Sequence, residues 1–117
     1  MAAPNLLAPS TVTGKTFGAA LTATTTTTLI GAVATGHAYR VKTISVSNVH
    51  ASNAGQVTLD VYNGTTGFKL ANAINIPINT TLMVLPTPIY LEETFILRGG
   101  ANATVTLEIN ISYEDIS

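Results

Sequence analysis

Apolar and polar residues alternate with a period of two through much of this chain, the pattern of strands with one buried and one wet face. The clearest run sets Val105, Leu107, Ile109 and Ile111 against Thr104, Thr106, Glu108, Asn110 and Ser112. Val57, Leu59 and Val61 against Thr58, Asp60 and Tyr62 repeat it, as do Ile74, Ile76 and Ile78. Leu82 and Val84 against Met83 and Leu85 form a further run. Two segments break the parity. Between Val41 and Ile44 the apolar positions slip, which predicts a bulge or bend. Phe95-Ile96-Leu97 is apolar on both sides, as for a strand covered on both faces.

Turn chemistry separates these runs. Asn63-Gly64 predicts a hairpin, because both residues tolerate positive φ. Residues 50–56 and 98–103 read as turn-rich breaks, and Pro77, Pro86 and Pro88 confine their segments to edges or strand ends. No window carries a helical stripe, and the five threonines at 24–28 predict an extended segment because they are β-branched. About seven to nine short antiparallel strands at this spacing predict an all-β fold, a β-sandwich or jelly roll, with a barrel as the alternative. One domain is expected over 11–117, behind an N-terminal arm at 1–10. In that arm Pro4 and Pro9 bracket Asn5-Leu6-Leu7, and Leu6 and Leu7 are candidate contacts to a neighbouring subunit. A frayed terminus is the other reading.

Charge changes the picture. Of 117 residues 9% are charged, against about 25% in ordinary domains. The net charge is −1, and Lys15, Arg40, Lys42, Lys69 and Arg98 are scattered. Nothing forms the basic stripe that nucleic acid requires. A domain of this mass exposes roughly 6,000 Å² when folded. So little charge on that surface removes colloidal repulsion, and implies that partners cover much of it. A soluble monomer with a threonine coat is the alternative. Cysteine is absent, so disulfides and thiolate metal sites are excluded, which fits a reducing cytoplasm. The apolar runs are too short for a membrane helix, and no signal peptide is read at the start.

No catalytic constellation emerges. His37 and His50 lack further ligands at metal spacing and read as surface-loop residues. No nucleophile elbow is present. Glu92 and Glu93 would point to opposite faces of a regular strand. Asp60 and Asn63 fall short of a calcium set. Glu114-Asp115 is expected to meet solvent or a basic partner. Tyr39, Tyr62, Tyr90 and Tyr113 are separated and no tryptophan offers a sugar platform. The Asn-x-Ser/Thr matches follow from composition, and the threonines lack the fixed repeat of an ice-binding solenoid. No cofactor is expected.

The chain resembles small β-rich virion proteins of tailed phages, including cyanophages and other marine phages. The likeness spans roughly residues 11–117 and is carried by TGKTFGAALTATTTTTLI, YRVKTISVSNV, QVTLDVYNG and INIPINTTLMVLPTPIYLEE. Its most specific pieces are Pro88-Ile89-Tyr90-Leu91-Glu92-Glu93 and Ser112-Tyr113-Glu114-Asp115-Ile116. Such proteins often place Gly-Asp after the tyrosine-containing strand, where this chain has Thr94-Phe95. The resemblance implies a non-enzymatic virion component assembled in the host cytoplasm. The reading taken from it is a capsid cement (decoration) protein, a homotrimer that bridges subunits of the major capsid protein. The alternatives are a head–tail connector, tail or baseplate protein, and a receptor- or glycan-binding module. Ile89, Tyr90, Leu91 and Tyr113 are expected to pack inside the sandwich.

Overall fold

A computed structural model describes residues 4, 6–50, 52–85, 87–102 and 107–117. The chain is all-β. The strands are β1 (Val12–Ala20), β2 (Thr28–Ile30), β3 (Ala38–Asn48), β4 (Gly55–Tyr62), β5 (Gly67–Ile76), β6 (Thr81–Met83), β7 (Ile89–Leu91), β8 (Ile96–Ala101) and β9 (Leu107–Ile116). They form two antiparallel sheets. One runs β1-β9-β3 and ends in β6 and β7, which both pair with β3; the other runs β2-β8-β4-β5. With β6 and β7 taken as one interrupted strand, this is the strand order of a jelly roll. The run around Val105 starts outside the described residues, which resume at Leu107.

The facing sheets bury the alternating residues. Val41, Ile44, Val46, Val57, Leu59, Leu97, Leu107, Ile109 and Ile111 are fully buried. Burial of each such side chain contributes about 1.5–3 kcal/mol. The slip between Val41 and Ile44 is a bulge: Val41 pairs with Tyr113 but Thr43 with Ser112, leaving Lys42 unpaired and exposed. The Asn63-Gly64 hairpin also forms. Gly64 takes φ 95°, and the Asn63 side-chain oxygen accepts the N–H groups of Thr65 and Thr66 at 2.9 and 2.8 Å.

Several segments depart from the sequence pattern. Gly99 and Gly100 lie inside β8 rather than in a turn. A Cβ on Gly99 would sit 2.3 Å from Leu59 Cδ2, and one on Gly100 2.3 Å from the Thr24 carbonyl oxygen. These glycines make room for neighbouring chain. What presses on Gly100 is the threonine run, which forms no strand over 22–27. It arches along β8 instead, its carbonyls at Thr22 and Thr27 accepting the N–H groups of Ala101 and Gly99 at 2.8 and 2.9 Å. Threonine hydroxyls hold the arch, Thr27 donating to the Thr24 carbonyl at 2.9 Å and pairing with Thr22 at 2.9 Å, as short polar side chains do in turns. Double covering of β8 therefore falls near Gly100, not at Phe95-Ile96-Leu97, of which Leu97 alone is buried.

Ile78 is 44% exposed because β5 stops at Ile76, before Pro77, and Asn79 turns the chain with φ 50°. Tyr90, expected inside, is 48% exposed. In β7 it alternates with buried Leu91 and half-buried Ile89, so the pleat turns it outward. Leu82 is exposed and Leu85 buried, since the three-residue β6 ends at Met83 and Val84 and Leu85 both donate to the Ile44 carbonyl. Pro86 lies outside the described residues.

Candidate functional site

Antiparallel winding sorts the chain's chemistry by end. The connections 31–37, 63–66 and 92–95 meet at one end of the sandwich with the starts of β1 and β3 and the close of β9. The connections 21–27 and 77–80 meet at the other, with residues 49, 50, 52–54 and Asn102. Every charged residue except Glu108 falls in the half nearer the first end, although the sequence spreads them from Lys15 to Asp115. Among the described residues the loops of the second end carry no charged side chain.

At the charged end the acids and bases pair within the chain. Asp115 accepts from His37 Nδ1 at 2.6 Å and lies 3.6 Å from Lys15 Nζ, while Glu114 meets Arg40 at 3.3 Å. The Glu114-Asp115 pair is thus engaged by basic side chains of its own chain. The partners come from β1, β3 and the connection before β3, so these contacts tie three segments to β9. Glu92 and Glu93 sit in a turn after β7. Glu93 accepts the Gly36 N–H at 2.7 Å, and Thr94 adopts φ 70°.

Tyr39 and Tyr113, far apart in sequence, meet with ring centroids 5.2 Å apart and planes at 43°. They pack on each other and on the core, which leaves no flat double platform for a sugar ring. Burial, and secondarily the Asp115 carboxylate, raises the Tyr39 phenol above the ordinary tyrosine value; Lys15 opposes. The neutral phenol is the form the fold favours. Its stabilisation is therefore present below the ordinary tyrosine value and is lost as pH rises through the folded one. In an alkaline titration followed by tyrosinate absorbance, one late component is expected. It should vanish in Tyr39→Phe.

A second cluster lies on the outer face of the β2-β8-β4-β5 sheet. The Asp60 carboxylate, with a 3% exposed side chain, receives two bonds from Arg98 at 2.9 and 2.7 Å, and Lys69 Nζ stands at 4.0 Å. Arg98 also lies 4.1 Å from the Tyr62 ring centroid. Gly67 is part of this latch: a Cβ there would meet Asp60 Oδ2 at 2.5 Å and Arg98 Nη2 at 2.6 Å. The bond to Asp60 makes the Arg98 guanidinium more basic still. Asp60 is thereby committed to structure, and Asn63 to its hairpin. His50 Nδ1 accepts the N–H groups of Ser52 and Asn53, both at 3.1 Å. Among the described residues no three histidine, aspartate or glutamate side chains converge.

Several large apolar side chains are left in water. Leu7 is 97% exposed and Leu6 is 47% exposed, on a segment that joins β9 through Ser10 and Thr11, whose N–H groups both donate to Ser117. Val49, Ile78 and Met83 are exposed toward the uncharged end, with Val12 and Phe68 exposed toward the other. Sequence parity concealed Ile78, which lies just past the end of β5, whereas Met83 is exposed on the face that parity set against Leu82 and Val84. No protein-family model matches the chain, and no curated protein matches it.

Proposed function

We propose that this chain is a structural component of a tailed-phage particle, a capsid cement protein that bridges neighbouring subunits of the shell. The observation that carries the reading is the exposed apolar side chains, Leu7 foremost, spread over both ends of a domain whose charges are few and largely paired internally. Such a surface is suited to being covered by companions. The jelly-roll order recurs in viral capsid domains and equally in lectins and cupins, so it supports the reading only as an analogy. The work is mechanical. A protein that binds the assembled shell and not its separate parts stabilises the shell by mass action, and the weak contacts of one oligomer add through their shared effective concentration.

The test uses purified protein added to shells that lack it. Removal of residues 2–9, with Leu6 and Leu7, is expected to weaken binding at least tenfold while the circular dichroism spectrum stays that of the intact chain. Full decoration by the truncated protein would eliminate the arm as a contact. Copy number in the native particle fixes the location: hundreds support cement, whereas about six to twelve move the protein to the neck, tail or baseplate.

A further inference from the structure

Strands at four places close the two sheets, and three of these edges carry features that discourage a foreign strand from adding. β6 and β7 are three residues each, and the register changes between them, from Ser45↔Met83 to Val41↔Ile89. β2 is three residues long and gives way to the threonine arch. β5 changes register twice against β4 and contains Ala73 at φ 52°. β1 has none of these. It runs nine residues in unbroken register against β9, without proline, and no other strand pairs with it among the described residues.

The backbone groups that β1 leaves open follow from the bonds at its two ends. Thr11 and Ser117 exchange both backbone bonds, at 3.1 and 2.9 Å, and Leu21 donates to the Leu107 carbonyl at 2.7 Å. Odd-numbered residues therefore face β9. The N–H and C=O groups of Val12, Gly14, Thr16, Gly18 and Ala20 point away from the sheet. Side chains of this even set lie on the outer face, opposite Phe17 and Ala19, which pack on the core. Two glycines and an alanine keep that face low. The one charge of the strand, Lys15, turns to the inner face toward Asp115.

We propose that β1 pairs with β1 of a second copy, antiparallel about a two-fold axis at Thr16, and joins the two five-stranded sheets into one. A second copy is the occupant because the strand is complementary to itself. In this register Val12 faces Ala20, Gly14 faces Gly18, and Lys15 faces Phe17, a cation beside an aromatic ring. All the outward groups are then paired and no like charges meet. Centring the axis one residue earlier would set Lys15 against Lys15. The contact is isologous and closes on itself, so it leaves no open edge to propagate. It makes the unit a pair, where the sequence reading expected a trimer.

The chain has no cysteine, so single cysteines report the register. In a hydrogen-bonded antiparallel pair the Cα atoms are about 5.5 Å apart, within disulfide reach. Thr16→Cys is expected to oxidise to a covalent dimer. Gly14→Cys alone should not, while Gly14→Cys mixed with Gly18→Cys should. Thr16→Pro removes an outward N–H and no bond to β9, so sedimentation should show its mass falling from twice the chain mass to 12.1 kDa. Equal cross-linking at 14 and 16, a wild-type mass of one chain, or a trimer indifferent to Thr16→Pro would each overturn the pairing. The inference rests on the assembly reading only for what the pair does in a particle. A dimer that never binds shells defeats cement and leaves the pairing standing; a lone chain that decorates shells does the reverse.

Discussion

Arg98→Ala is expected to unfold the protein at a distinctly lower urea concentration, more than any loss of a surface ion pair would produce. The reason lies in what remains. Asp60 keeps a side chain 3% exposed, with only Lys69 at 4.0 Å to offset its charge. Orphaning a buried carboxylate costs on the order of 3 kcal/mol or more, whereas a solvent-exposed ion pair is worth about 0–1 kcal/mol. Arg98→Lys keeps the charge but loses the two-pronged bond and the stacking on Tyr62, so its midpoint should fall between alanine and wild type. Gly67→Ala tests the same latch from the other strand, because the new Cβ meets both partners. Its penalty should shrink in the Arg98→Ala background, where one of the two colliding groups is gone. Equal midpoints for wild type, Arg98→Lys and Arg98→Ala would show that the latch contributes nothing.

Much of the fold was legible because alternation is local. Val57, Leu59 and Val61 announce a buried face whatever strand lies beside them, and the slip between Val41 and Ile44 marked a bulge without reference to β9. Asn63-Gly64 needed only its own backbone preference. The failures at Gly99-Gly100 and in the threonine run depend on distant chain. Gly99-Gly100 resembles a turn, and nothing near it in sequence tells that Leu59 and Thr24 require the space. The threonines at 24–28 have strand propensity, but their hydroxyls and the edge of β8 offered bonds that an extended run would forgo. The break at Pro77 exposed Ile78, which parity alone could not indicate.

The candidate surface was less legible than the fold for a related reason. Asp60 and Arg98 are separated by 38 positions and His37 and Asp115 by 78, so their pairing exists only once strand order is known. Segregation of charge to one end is likewise a product of winding. A jelly roll reverses direction at every connection, so residues near the close of one strand lie beside those near the opening of the next. Most of the scattered charges become internal ion pairs, and the described loops of the far end carry none. Low overall charge was legible in the sequence; its concentration toward one end of the sandwich was not.

Gly100→Ala is expected to be the most damaging single methyl addition outside the latch. The added Cβ would lie 2.3 Å from the Thr24 oxygen and 2.8 Å from that of Thr22, and both contacts are backbone, which cannot swing aside as a side chain does. The arch must lift from β8, weakening the bonds from the Ala101 and Gly99 N–H groups to Thr22 and Thr27. Overpacking of this kind costs about 1–3 kcal/mol, and each lost backbone bond adds about 0.5–1.5 kcal/mol. Hydrogen exchange separates this account from general destabilisation. The amides of Gly99 and Ala101 should lose protection first, while amides between β3 and β9 keep theirs relative to the global stability. Gly31→Ala, where a Cβ meets nothing within 4 Å, is the control and should leave both the midpoint and the exchange pattern alone. If Gly100→Ala behaves like Gly31→Ala, the threonine run is not held against β8, and the double covering of that strand is refuted with it.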